Sequence, residues 1–179
     1  MNICVFCGSA TGIDPVYADA AKSLGTHLGR EGHTLVYGGG NVGLMGIVAD
    51  SVLTHGGEVI GVIPDFLMRR EVAHLGLTTL EVVDTMHLRK QRMAELSHAF
   101  IAMPGGWGTL EELAEILTWR QLGLVTQPIG ILNVKDFFSP LLAQMRTMVE
   151  EGFLKLGNLE LLVVEKTPEA LVGRFSSLV

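Results

Sequence analysis

Short runs of nearly continuous apolar residues alternate along the chain with longer stretches in which apolar positions recur every three or four residues. The runs are "ICVFCG", "TLVYGG", "EVIGVIP", "LEVVD", "FIAMPG", "IGILNV" and "ELLVVE". They are short and lack polar alternation, so they predict strands buried on both faces. The longer stretches predict helices over residues 15–30, 42–57, 85–96, 109–122, 137–151 and 168–177. Pro15, directly after Asp14, suits the first turn of the first of these. Strand and helix therefore alternate. That rhythm predicts an α/β fold, a single Rossmann-like doubly wound domain spanning residues 1–179, with a mainly parallel sheet flanked by helices. No low-complexity linker or fixed-period repeat divides the chain.

Composition narrows the picture. With 179 residues, 48% hydrophobic and 18% charged, the chain is globular and long enough for one sizeable core. Its 22 glycines gather where apolar runs end, as expected where backbone turns tightly or approaches a ligand closely. A formal net charge of −6 argues against a nucleic-acid polymer as partner. Basic spots at Arg69–Arg70 and at Arg89, Lys90 and Arg92 still allow a small anionic ligand. The opening "NICVFC" shows no basic segment ahead of a signal-like core. No apolar run reaches the roughly 18 residues of a membrane span. The expected location is cytoplasmic, with no membrane partner. Cys4 and Cys7 form a C-x-x-C pair within a strand. A thioredoxin-like pair follows its strand instead, and no second pair completes a zinc site. Packing is the expected role, and neither a metal nor a redox cofactor is expected.

Three glycine-rich turns fall at strand ends: "CGSATG", "YGGGNVGLMG" and "MPGGWGT". Ligands of open α/β sheets gather at such carboxyl ends. Gly38, Gly40 and Gly43 spell G-x-G-x-x-G, but after the second strand rather than the first, which disfavours a dinucleotide site and a dehydrogenase. No lysine completes a P-loop. In "PGGWGTLEE", Gly105, Gly106 and Gly108 expose backbone N–H groups and Thr109 offers a hydroxyl, at a helix start that favours an anion. A tight connection without a ligand is the plainer alternative. Thr109 and Glu112 also fit a capping box. Leu110, Leu113, Ala114 and Leu117 make the predicted apolar stripe of that helix, with Glu112 and Glu115 beside it. Glu112 is thus open to a capping, surface or catalytic role. In "DTMHLRKQRM", Arg89 and Lys90 are either ligands of an anion or a solvated pair, and His87 is either a base or structural. Glu71 and His74 share a helical spacing, following "VIPDF", which predicts a flexible rim.

Taken together, "CGSATG", "YGGGNVGLMG", "GVIP", "MHLRKQRM" and "PGGWGTLEE" resemble the LOG family, the cytokinin riboside 5′-monophosphate phosphoribohydrolases, whose relatives are often labelled lysine decarboxylases. No lysine here stands in an evident pyridoxal-phosphate setting. The resemblance implies hydrolysis of the N-glycosidic bond of nucleoside 5′-monophosphates, including AMP, to an adenine-type base and ribose 5-phosphate, without a cofactor. It also implies a homodimer with sites near the subunit interface. It carries over Arg89 and Glu112 as catalytic residues. As substrate-binding residues it carries over Glu71, Arg89, Lys90, Gly105, Gly106, Trp107, Gly108, Thr109, Leu110, Glu111, Glu112 and Thr118. A non-catalytic nucleotide-binding module is the competing reading.

Overall fold

The computed structural model describes residues 1–68 and 73–178. The apolar runs become seven strands: β1 (Asn2–Phe6), β2 (Thr34–Tyr37), β3 (Val59–Pro64), β4 (Thr79–Val83), β5 (Ala99–Ala102), β6 (Ile129–Leu132) and β7 (Leu162–Glu165). They form one sheet in the order β4-β3-β2-β1-β5-β6-β7. Every neighbouring pair is parallel. The order reverses between β1 and β5, and a crevice at the carboxyl ends is expected at that switch.

The six predicted helices are α1 (Val16–Arg30), α2 (Gly43–Thr54), α4 (Met86–Leu96), α5 (Trp107–Gln121), α6 (Ser139–Glu150) and α8 (Pro168–Ser176). Two short helices join them, α3 (Asp65–Met68) in the "VIPDF" rim and α7 (Leu156–Leu159). α1, α2 and α8 cover one face, where Leu24, Leu28, Val48, Val52, Leu171 and Phe175 pack on Ile3, Val5, Leu35 and Ile101. α4 and α5 cover the other, where Met93, Leu113 and Ile116 pack on Cys4, Val36 and Phe100. Cys4 and Cys7 belong to opposite faces of the sheet. Burial pushes both thiols above their ordinary range, which fits packing rather than redox chemistry.

Two local expectations change. α5 begins two residues ahead of the predicted 109, with Gly106 at its cap position and no side-chain cap hydrogen bond. Thr109 therefore lies inside the first turn, and Thr109–Glu112 is not a capping box. The buried stripe of α5 is Thr109, Glu112, Leu113 and Ile116, so Glu112 lies in the core-facing stripe, whereas Ala114 is exposed. Near the rim, Ala73 forms an extended bridge with Gly40, so helical spacing does not describe His74. Its Nε2 lies 2.9 Å from Asp50 Oδ1, its Nδ1 accepts from Gly76 N, and its own N–H donates to Gly39 O. His74 is a tie between the returning rim, α2 and the β2 loop.

α4 starts at a side-chain cap: Thr85 Oγ1 accepts from Leu88 N at 3.1 Å. Thr85→Ala should lower unfolding free energy by about 1 kcal/mol, measured by urea denaturation, while Thr85→Ser should retain most of it.

Candidate active site

A cleft of about 360 Å³ opens at the carboxyl ends of β1, β2 and β3, beside the switch point. The β1 loop supplies Cys7, Gly8 and Ser9, the β2 loop Gly38 and Gly40, α4 Arg89, and the start of α5 Gly106 to Thr109 and Glu112. All three glycine-rich turns thus reach one rim. They are stitched together by backbone bonds: Gly8 N donates to Pro104 O, and Leu44 N donates to Gly8 O.

Gly105 is where two of these turns meet. A Cβ there would fall 2.1 Å from Thr109 Oγ1 and 2.8 Å from Gly8 N, so only glycine fits. A Cβ at Gly106 or Gly108 would meet open space. Leu110 N donates to Gly106 O, leaving the N–H groups of Trp107, Gly108 and Thr109 ahead of the first helical bond, an anion-binding arrangement. Thr109 is buried and Trp107 stands exposed at the lip.

Opposite this turn lies a buried ion pair. Arg89 Nη2 is 3.4 Å from Glu112 Oε1, and both side chains are about nine-tenths buried. Arg89 Nε donates to Val62 O of β3 at 3.2 Å, and Nη1 lies 3.9 Å from Met86 Sδ. The guanidinium lies directly on Gly38, where a Cβ would fall 1.7 Å from Nη2. The glycine after β2 is therefore required by a side chain of α4. Burial pushes the Glu112 carboxyl up to about 7, with Arg89 opposing and Glu111 adding to the rise.

Other expected site residues fall elsewhere. Lys90 reaches toward α5 and bonds Glu111 and Glu115. It is absent from the cleft lining, as are Leu110, Glu111 and Thr118. Leu110 is half-buried against the core, and Thr118 is exposed, bonding back to Ala114 O. His87 is exposed beside a groove between α4 and α5. Glu71, with Arg69 and Arg70, lies outside the described residues. Cys7, Val42, Met45, Ile63 and Leu67 also line the cleft. Of these, Cys7 and Ile63 stand at strand ends, Val42 and Met45 at the start of α2 and Leu67 in α3, and no motif in the sequence marks them as lining residues.

Glu112 sets a stability test. Its folded value of about 7 lies above the ordinary 4.5, so between those values the folded chain keeps a proton that the unfolded chain has released. Stability therefore falls as pH rises through this window, by about 3 kcal/mol in total. Glu112→Gln cannot ionise, and denaturant midpoints against pH should show the wild type losing ground to it across the same window.

The family model described as "Possible lysine decarboxylase" matches residues 45–175. No lysine lines the described cleft. A probable cytokinin riboside 5′-monophosphate phosphoribohydrolase of Oryza sativa subsp. japonica is 48% identical over 173 residues, covering 97% of this chain and 71% of the relative. A cytokinin riboside 5′-monophosphate phosphoribohydrolase of Arabidopsis thaliana is 46% identical over 178 residues, covering 99% and 84%. Among solved structures, the molybdenum cofactor binding protein of Rippkaea orientalis superposes with a TM-score of 0.73 at 22% identity, over 98% of this chain and 94% of that one. At that identity the likeness shows the fold alone. Similarity to the plant proteins runs along nearly the whole chain. This chain belongs to the cytokinin riboside 5′-monophosphate phosphoribohydrolase family.

Proposed function

We propose that this chain hydrolyses the N-glycosidic bond of cytokinin riboside 5′-monophosphates, and of AMP, releasing the adenine-type base and ribose 5-phosphate. The observation that carries this reading is the buried Arg89–Glu112 pair facing an anion-ready helix start across one cleft. The 5′-phosphate is held by the turn Gly105–Thr109, through backbone N–H groups and the Thr109 hydroxyl, at the positive end of α5. That fixes the ribose between the turn and Glu112. Departure of the base leaves positive charge at C1′, and the ionised Glu112 carboxylate stabilises it and orients water. Arg89 stays charged and is no proton donor at neutral pH. It holds Glu112 in place and orients the nucleotide. Glu71 lines the base or ribose pocket in this reading. The nucleotide substrate fits a cytoplasmic location, and no described helix is long and apolar enough to cross a membrane.

A homodimer through the outer face of α4 and α5 belongs to the same proposal. Leu88, Leu122 and Leu124 are exposed there, beside a groove of about 440 Å³ lined by His87, Gln91, Trp119 and Leu124. Thr118, on the outward side of α5, would then join a site through the partner protomer. Light scattering should give the dimer mass for the wild type and the monomer mass for a Leu122→Glu, Leu124→Glu double variant.

Incubation with AMP and with isopentenyladenosine 5′-monophosphate, with base and ribose 5-phosphate quantified, tests the activity. Both products should appear in equal amounts, and unphosphorylated adenosine should be a poor substrate. Binding of AMP by folded protein without turnover would favour the nucleotide-binding module instead. Glu112→Gln should lower kcat by about 100-fold or more while remaining folded. Gly38→Ala should cost about 100-fold by displacing the guanidinium. Because ionised Glu112 is required, kcat/KM should rise with pH through about 7; a fall through that point would assign Glu112 as proton donor.

A further inference from the structure

Lys90 and Glu111 directly follow and precede the two members of the buried pair, one on each helix. Successive side chains on a helix diverge by about 100°, so the neighbours of groups facing the cleft face elsewhere. Lys90 does so: its side chain is 9% exposed, and its ammonium bonds Glu111 and lies 3.1 Å from Glu115. With Phe6, Phe100, Glu112 and Trp119 it encloses a small void behind the cleft. We propose that Lys90 is a positioning residue, a clamp that fixes α4 against α5 through Glu111 and Glu115 and thereby sets the separation and charge of the Arg89–Glu112 pair.

This rests on the hydrolase reading and deepens it, because Lys90 then acts through the pair instead of touching the nucleotide. Burial pulls the Lys90 ammonium down, and its bonds to Glu111 and Glu115 outweigh that, leaving it above its ordinary value. It is therefore a fixed cation. Without it, Glu111 and Glu115, one turn apart, are two unpaired like charges. The ionisable groups facing Glu112 are Arg89 and Lys90 from α4, Glu111 and Glu115 from α5, and the thiols of Cys4 from β1 and Cys7 from the loop after it. Arg89 and Lys90 favour the Glu112 carboxylate, and Glu111 and Glu115 oppose it. Removing Lys90 both loosens the clamp and moves Glu112 ionisation to higher pH.

The test compares wild type, Lys90→Gln, Lys90→Arg and Glu115→Gln on AMP across pH. For Lys90→Gln, kcat should fall about tenfold with KM kept within about twofold, and the limb of the pH profile should move upward. Glu115→Gln should lower kcat as well but move the limb downward. Lys90→Arg should restore the limb toward the wild-type position. A tenfold or larger rise in KM with an unmoved limb, roughly the signature of lost ground-state binding, would overturn the proposal and make Lys90 a substrate ligand. Unchanged kcat and limb in Lys90→Gln would overturn it too. An inactive wild type would sink the hydrolase reading separately. The pH window of stability in wild type and Lys90→Gln then reads the same Glu112 shift without turnover, and an unmoved window would overturn the clamp.

Discussion

A guanidinium and a carboxylate buried against each other are expensive to hold, because their attraction must offset the loss of water around both. Here the surroundings are shaped to that requirement. Arg89 is held by the Val62 carbonyl as well as by Glu112. Glu112 occupies a position in the core-facing stripe of α5 where the helix pattern calls for an apolar residue. Gly38 has no side chain because the guanidinium lies where its Cβ would be. That glycine, at the end of β2, is best understood as part of the binding of a side chain from α4.

The pair also explains how an anion-binding turn can be followed at once by three carboxylates. Only Glu112 faces the cleft. Glu111 and Glu115 turn toward α4, where Lys90 answers both. Glu112 itself, with burial raising it to about 7, carries only part of a negative charge at neutral pH, and Arg89 stands against it. The sheet makes this arrangement possible. With β1 and β5 adjacent and the chain winding outward in both directions, loops far apart in sequence end on one rim.

The architecture was legible because strand and helix write different periods into the sequence. All seven strands and all six longer helices stand where those periods put them. The start of α5 was not legible, since a Gly-Gly-x-Gly run has low helix propensity and Thr109 offered an apparent cap. The same Thr-x-x-Glu spacing also serves two residues on the buried side of a helix, and the structure uses it that way. Gly38, Arg89, Gly105, Thr109 and Glu112 could be singled out from motifs. Their mutual contacts could not, because nothing local in "MHLRKQRM" tells which of Arg89 and Lys90 points at the cleft and which at the neighbouring helix. Met45, Ile63 and Leu67 were invisible as lining residues because an apolar side chain at a cleft looks like one in a core.

The mutual burial of Arg89 and Glu112 has a consequence for how such a chain can change over generations. An apolar substitution at one position alone, unlike the isosteric Glu112→Gln, which still accepts from Arg89, leaves the other as an uncompensated buried charge, a loss of about 3–5 kcal/mol that a marginally stable domain tolerates poorly. A lineage that no longer needed the chemistry would still be penalised for discarding either residue alone. Both could be replaced together by apolar side chains at little cost, but that path runs through an unstable single variant. The fold itself therefore favours keeping the two residues together, even where selection on the reaction is relaxed.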